Sequence, residues 1–124
     1  MNNIVIITAA LLSSLAIILG AFGAHAFKKI LPSEKLESFE VGVRYQMYTA
    51  ITLLILGLNF SFEYQSERIA FYLITLGTLL FSTSIYFLAF AAYWKKNLKF
   101  LGPITPLGGL LMIAGWVAII LRFL

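Results

Sequence analysis

Few side chains in this protein could carry out chemistry, and histidine is the scarcest of them. His25 is the only histidine, cysteine is absent, and all five acidic residues are glutamates. Without cysteine the chain cannot form a disulfide, a thiolate metal site or a cysteine nucleophile. A lone histidine, with no second histidine and no carboxylate in the same apolar stretch, does not predict a metal site. We therefore expect neither a metal nor a cofactor.

Polar side chains nevertheless recur at similar depths in the apolar sequence. We expect a candidate polar cluster of six residues: His25, Tyr45, Gln46, Thr49, Tyr86 and Thr105. In one interpretation, His25 in this cluster binds a headgroup or shuttles a proton. In the other, a neutral imidazole forms a hydrogen bond to a neighbouring helix and holds the helices in register.

The acidic residues argue against several classes of protein. The glutamates are expected in loops or at interfaces: Glu34, Glu37, Glu40, Glu63 and Glu67. No span would then hold the buried acid typical of a proton-coupled carrier. Paired carboxylates, a serine with a histidine and an acid, and a phosphate-binding glycine loop are also absent from the sequence. The sequence predicts a protein that is not an enzyme.

Four apolar stretches must position these residues, and their lengths indicate that the chain is surrounded by lipid. They cover residues 4–27, 46–62, 69–94 and 106–124. A helix rises about 1.5 Å per residue and needs roughly 20 residues to cross hydrocarbon. Hydrophobic residues make up 61% of the chain and charged residues 11%. We predict an all-α integral membrane bundle of four transmembrane helices in a single domain, residues 1–124.

A short amphipathic helix is predicted before the second span. Pro32 stops the preceding helix, and Ser33 can cap a new one. From Glu34 onward, apolar residues lie on one side of the helical pattern and charged residues elsewhere, which is typical of an interfacial helix. Glu40 and Arg44 stand one turn apart and could pair.

Basic residues are distributed unevenly between the two sides of the predicted bundle. Seven lie in or beside the two long connections: Lys28, Lys29, Lys35, Arg44, Lys95, Lys96 and Lys99. Only Arg68 and Arg122 lie on the opposite side. Cytoplasmic loops carry an excess of lysine and arginine, so we expect both long loops in the cytoplasm and both termini outside it. The net charge of +4 is thereby explained by topology, and we expect no nucleic-acid partner.

The beginning of the fourth span provides a candidate site for an anionic lipid headgroup. Thr105 and Pro106 predict an N-cap followed by a first-turn proline. Free backbone N–H groups at a helix start attract anions. The expected contacts are Arg44, Lys95, Lys96, Lys99, Gly108 and Gly109. The alternative is an ordinary capped helix at a basic interface.

Four ordered motifs resemble a known family. They are Gly20-Ala21-Phe22-Gly23-Ala24-His25 in the first span, Tyr45-Gln46-Met47-Tyr48 opening the second, Gly77-Thr78, Leu80-Phe81-Ser82 and Ser84-x-Tyr86 in the third, and Thr105-Pro106-x-Gly108-Gly109 with Gly115-Trp116 in the fourth. This pattern is similar to the domain-of-unknown-function 423 family of small bacterial inner-membrane proteins, with the eukaryotic relative transmembrane protein 256. The resemblance implies a four-helix membrane protein of uncharacterised activity. The family usually has a second histidine where this chain has Thr49. If that histidine and the one matching His25 form a pair in relatives, this chain lacks half of it.

Two functional hypotheses follow from the residues. Small residues spaced four apart, at Ala16, Gly20 and Ala24, allow close helix packing. They favour a non-enzymatic protein that binds membrane lipids or partner proteins, as a homo-oligomer or as an accessory subunit. The alternative is a small channel or carrier for water or a small neutral solute. Its pore would lie between protomers and be lined by Thr49, Ser82, Ser84, Tyr86 and Thr105.

Overall fold

Four long helices make up nearly all of the protein. The computed structural model describes residues 1–124 and contains no strand. The helices are α1 (Asn2–His25), α2 (Ser33–Asn59), α3 (Gln65–Phe90) and α4 (Ile104–Arg122), with short 3-10 turns at Phe27–Lys29 and Lys99–Leu101. All four helices are long and apolar enough to cross a membrane. The predicted all-α class with four spans is confirmed.

The two ends of the bundle differ in the chain segments that they contain. One end contains both chain termini and the 60–64 loop, and is called the termini end below. The other contains the connections 26–32 and 91–103 with their lysines, and is called the basic end.

The amphipathic segment and the second span form one continuous helix. α2 has 27 residues, which corresponds to about 40 Å, whereas hydrocarbon is about 30 Å thick. Pro32 precedes α2, and no proline follows before Asn59. The predicted interfacial helix is therefore the N-terminal part of α2. Ser33 is the first residue of this helix, and its side chain makes no capping hydrogen bond.

α4 begins one residue earlier than its predicted cap. Its first residue is Ile104, preceded by Pro103, so Thr105 lies within the first turn and is not the N-cap. The Thr105 hydroxyl instead lies 2.6 Å from the Ser84 hydroxyl of α3. Pro106 is tolerated because the first N–H groups of a helix have no intrahelical partner.

The helices pack mainly on their neighbours in sequence: α1 on α2, α2 on α3, and α3 on α4. α1 contributes a narrow buried strip of Val5, Ala9, Leu12, Ala16 and Gly23. This spacing of three and four residues places the strip along one side of the helix. Of the predicted small-residue face, Ala16 is buried, a Cβ at Gly20 would touch Val43, and Ala24 is exposed.

Two apolar clusters form the core. The larger lies toward the termini end and contains Val5, Ala9, Leu12, Ala50, Leu53, Leu56, Phe62, Phe71 and Ile74. The smaller lies toward the basic end and contains Leu31, Phe39, Ala89 and Phe90. Most other large apolar side chains are exposed. Such a surface suits a protein surrounded by lipid, because hydrocarbon solvates these side chains.

α3 and α4 approach each other through glycines. A Cβ added at Gly108 would overlap the backbone nitrogen of Phe81 and lie 2.7 Å from the carbonyl oxygen of Gly77. A Cβ at Gly115 would overlap the side chain of Ile74. Small residues at a membrane helix interface allow this backbone-to-backbone contact. The glycines of the fourth-span motif therefore position α4 against α3.

Candidate functional site

A buried amide at the midpoint of α2 joins three of the helices. Gln46 of α2 is 4% exposed. Its Nε2 donates to the carbonyl oxygen of Leu12 in α1 at 2.8 Å. Its Oε1 accepts a hydrogen bond from the Tyr86 hydroxyl of α3 at 2.6 Å. Polar side chains in membrane bundles commonly hydrogen-bond across helices, since hydrocarbon offers no other partner.

A second hydrogen bond reinforces the contact between α2 and α3. The buried Ser82 hydroxyl donates to the carbonyl oxygen of Gly42 at 2.8 Å. The Tyr86 ring covers Gly42 so closely that a Cβ there would lie 2.7 Å from Tyr86 Cε1. Gly42 therefore provides both the acceptor and the space that allow Tyr86 to reach Gln46.

The structure divides the predicted polar cluster. Gln46 and Tyr86 are joined, but His25 is exposed at the end of α1 and takes no part in these hydrogen bonds. The Thr49 hydroxyl donates within its own helix, to the carbonyl oxygens of Tyr45 and Gln46 at 2.8 and 3.1 Å. The predicted role of holding the helices in register belongs to Gln46 and Tyr86.

The other two members of that set also lie apart. Tyr45 is exposed, and its ring packs edge-on against Phe81 at 5.2 Å. The Thr105 hydroxyl joins α4 to Ser84 of α3. Depth in the membrane brings residues to the same level, but the rotation of each helix decides which of them meet.

The candidate lipid site at the start of α4 is only partly formed. Gly108 is buried against α3, and Pro106 has no N–H group. The N–H of Leu107 donates to the carbonyl oxygen of Pro103 at 3.3 Å. This leaves the N–H groups of Ile104 and Thr105 as the only free donors of the first turn. Gly108 faces α3, because a Cβ added there would meet Phe81 and Gly77, and its contact with a headgroup stays a prediction.

The remaining candidate lipid contacts stay accessible. Gly109 is half-buried beside Phe81, whereas Arg44, Lys95, Lys96 and Lys99 are exposed. The only ion pair of the chain joins Glu67 and Arg122, so the pair predicted between Glu40 and Arg44 does not form.

Among the depressions on the bundle are two apolar grooves between helices that are not neighbours in the sequence. The α2–α4 groove has a volume of about 530 Å³ and is lined by Tyr45, Tyr48, Phe81, Ile113, Trp116 and their neighbours. The α1–α3 groove has a volume of about 370 Å³ and is lined by Leu19, Phe27, Phe39, Thr83, Tyr86, Phe87, Phe90 and Trp94. Grooves with mainly apolar walls between helices are suited to apolar ligands or to another helix.

Aromatic contacts line the basic end of the α1–α3 groove. The Phe27 ring meets Phe39 at 5.2 Å and Phe90 at 4.9 Å, both edge-on. Trp94 stacks on Phe90 with centroids 5.3 Å apart. These contacts bring the segment after α1 against the segment after α3.

The termini end contains a polar site that the sequence did not predict. Glu67, expected at an interface, is 2% exposed, and its Oε2 accepts a hydrogen bond from Arg122 Nε at 2.9 Å. The Arg122 guanidinium also lies 3.8 Å from the centroid of the Tyr64 ring. α4 is thereby attached at its last turn to the first turn of α3.

The same carboxylate holds the loop between α2 and α3. Its Oε1 accepts the N–H of Phe62 at 2.9 Å, and Arg68 donates to the carbonyl oxygen of Phe62 at 2.8 Å. Phe62 has a φ of 62°, which is unusual for a bulky residue and is maintained only by surrounding contacts. In the sequence, the ion pair could have been found from the expected position of Glu67 and Arg122 at the same end of the predicted bundle.

Four apolar helices, a lipid-compatible surface and hydrogen bonds satisfied within the bundle define a helical multi-span membrane protein. The model of a family described as a protein of unknown function, DUF423, matches residues 19–109. The chain belongs to this family. The matched region includes the Gln46–Tyr86 pair and every residue that lines the α1–α3 groove.

Similar proteins occur in distant bacteria. The chain is 38% identical to a UPF0382 membrane protein of Staphylococcus haemolyticus, over 94% of this chain and 91% of the relative. It is 35% identical to the UPF0382 membrane protein YwdK of Bacillus subtilis, over 95% and 94%. It is 34% identical to the UPF0382 inner membrane protein YgdD of Escherichia coli, over 93% and 85%. No solved structure matches the chain.

Proposed function

We propose that this protein acts by binding, without catalysis, and that its ligands are membrane lipids or the helices of a partner protein. The observation that carries the proposal is the pair of open grooves on a bundle whose helices pack in chain order. A homo-oligomer or a larger complex would place a helix in such a groove, and a lipid would place an acyl chain there.

The proposed location is the bacterial inner membrane, with the basic end in the cytoplasm and both termini outside it. Seven of nine lysines and arginines belong to the basic end, and an excess of these residues marks cytoplasmic loops. The name of the Escherichia coli relative, an inner membrane protein, supports the choice of membrane. A reporter fused after Leu124 tests the orientation, and activity of a cytoplasmic reporter there would contradict it.

Hydroxyl positions favour binding over transport. Ser82 donates to α2, Ser84 and Thr105 bond each other, and Tyr86 bonds Gln46. These groups are used at three separate helix contacts, so they do not offer a common lining for a pore. We expect no flux of water or small neutral solutes above that of protein-free liposomes.

Purification in a mild detergent tests the proposal directly. We expect the protein to retain specific lipids, to form a defined oligomer, or to bring a partner membrane protein with it. Mass spectrometry identifies each of these outcomes separately. A monomeric particle with no retained lipid and no partner would contradict the proposal.

A further inference from the structure

The α1–α3 groove ends at four lysines. Lys28 and Lys29 directly follow Phe27, and Lys95 and Lys96 directly follow Trp94. Phe27 and Trp94 both line this groove and both pack against Phe90, so each lysine pair directly follows a residue of the groove wall. The basic charge and the apolar groove are therefore parts of one continuous surface.

No acidic side chain neutralises these lysines. The only ion pair of the chain lies at the termini end. Glu34, Glu37 and Glu40 instead line a depression with Val41 and Arg44, and Val41 also borders the α2–α4 groove. The glutamates nearest in sequence thus belong to the other side of α2.

The turn after α3 holds its lysines in a defined conformation. The N–H of Lys96 donates to the carbonyl oxygen of Ala91 at 2.9 Å, and the N–H of Lys95 donates to that of Ala92 at 3.1 Å. Lys95 has a φ of 56°, a conformation that few non-glycine residues adopt. The backbone at both lysines is therefore fixed directly beyond Trp94, a residue of the groove wall.

The groove itself suits an acyl chain. No polar atom contributes to its accessible surface. Along α3 it extends from Thr83 to Phe90, about 10 Å at 1.5 Å per residue. Its walls are the large side chains of Leu19, Phe39 and Phe87. An occupant with an apolar chain in the groove and a negative headgroup at its mouth would match both parts of this surface.

We propose that the α1–α3 groove binds one anionic phospholipid of the surrounding bilayer, with an acyl chain along Leu19 and Phe87 and the phosphate among Lys28, Lys29, Lys95 and Lys96. This inference rests on the proposed binding function and assigns a site and a ligand class to it. The site differs from the start of α4, because it uses the segment after α1 and does not use Arg44, Lys99 or the helix dipole of α4.

A pair of charge-matched variants tests the headgroup contacts. The protein is reconstituted in vesicles of equal phosphatidylglycerol and phosphatidylcholine, extracted in mild detergent, and its retained lipids are quantified by mass spectrometry. We expect the wild type to retain phosphatidylglycerol preferentially. Lys28→Gln with Lys29→Gln should lower that preference at least threefold. Arg44→Gln with Lys99→Gln, which removes the same charge from the same end, should leave it unchanged.

A second pair of variants tests the groove. Thr83→Trp fills the α1–α3 groove while all lysines remain, and should also lower the preference at least threefold. Thr52→Trp places the same bulk in the α2–α4 groove and should have no effect. The four positions changed in the charge variants are all exposed: Lys28, Lys29, Arg44 and Lys99. Both charge variants should therefore fold, and thermal unfolding in detergent verifies this.

Three results would overturn the site: no preference in the wild type, an equal loss in both charge variants, or full retention by Thr83→Trp. An equal loss would indicate diffuse attraction to the basic end. If any of these results occurs while another lipid or a partner protein still co-purifies, the proposed function stands and only this site fails. If nothing co-purifies, the proposed function fails as well.

Discussion

The two ends of the bundle are stabilised by different interactions. At the termini end, a buried carboxylate is paired with an arginine and accepts a backbone N–H, and Asn2 donates to the carbonyl oxygens of Gly57 and Phe60. The half toward the basic end contains no ion pair. It is held by the contact of Gly108 with α3 and by neutral hydrogen bonds such as that between Tyr86 and Gln46.

At the termini end the charges stabilise the fold, whereas at the basic end the charges remain available to a ligand. The Glu67–Arg122 pair satisfies its own charges within the protein. The lysines of the basic end have no acidic partner, and they lie beside an open groove. The paired charges and the unpaired lysines therefore lie at opposite ends of the helices, and substitutions can test each group separately.

The largest effect is expected at the termini end. Glu67→Ala leaves Arg122 without its partner and frees the N–H of Phe62, so we expect a loss of about 3 kcal/mol in the free energy of unfolding. Glu63→Ala, at an exposed neighbouring position, should change it by less than about 0.5 kcal/mol. Denaturant titration in detergent micelles measures both. Equal stability of the two variants would show that the ion pair does not hold this end.

A smaller loss is expected from the helix contact near the basic end. Gly108→Ala adds a methyl group that overlaps the backbone of α3, and overpacking of this kind costs about 2 kcal/mol. Gly109→Ala is a matched control, because its Cβ would meet only Phe81 Cδ2 at 3.9 Å. The same titration compares the two. If both alanines were tolerated equally, α3 and α4 would not be in backbone contact.

The smallest of the three effects concerns the hydrogen bond between α2 and α3. Tyr86→Phe leaves Gln46 Oε1 buried without its donor, and hydrogen bonds between membrane helices contribute about 1 kcal/mol. Tyr48→Phe removes a hydroxyl from an exposed side chain and should not change stability. A double variant with Gln46→Leu should lose less than the sum of the single changes. Strict additivity would argue against a direct bond.

Helix number and approximate depth could be predicted from the sequence, because the length of an apolar stretch reports how much chain lies in hydrocarbon. The continuity of α2 could not, because a separate short helix was expected before the second span. Hydropathy places the start of the second span at Gln46, whereas α2 begins at Ser33. The two positions differ because a helix continues beyond the lipid until a residue such as proline interrupts it. Apolar length describes the membrane boundary and not the boundary of the helix.

The candidate site was predicted less well, for a geometric reason. His25, Gln46 and Tyr86 were expected together because they share a similar depth, yet only Gln46 and Tyr86 meet. Depth follows from sequence position, but rotation about each helix axis depends on packing with its neighbours. The pair of Glu67 and Arg122 was missed for the same reason, since the two residues are separated by 55 positions in sequence.

Packing in chain order has a consequence for how the protein is made. Each helix after the first packs against the helix synthesised immediately before it, so insertion into the bilayer can proceed one helix at a time without a distant segment having to wait for its contacts. Local connectivity of this kind favours rapid assembly. The last step would be the docking of α4, when Arg122 emerges from the ribosome and reaches Glu67. A ribosome-stalled chain that lacks the final turn should therefore keep α1 to α3 assembled and leave α4 loosely attached.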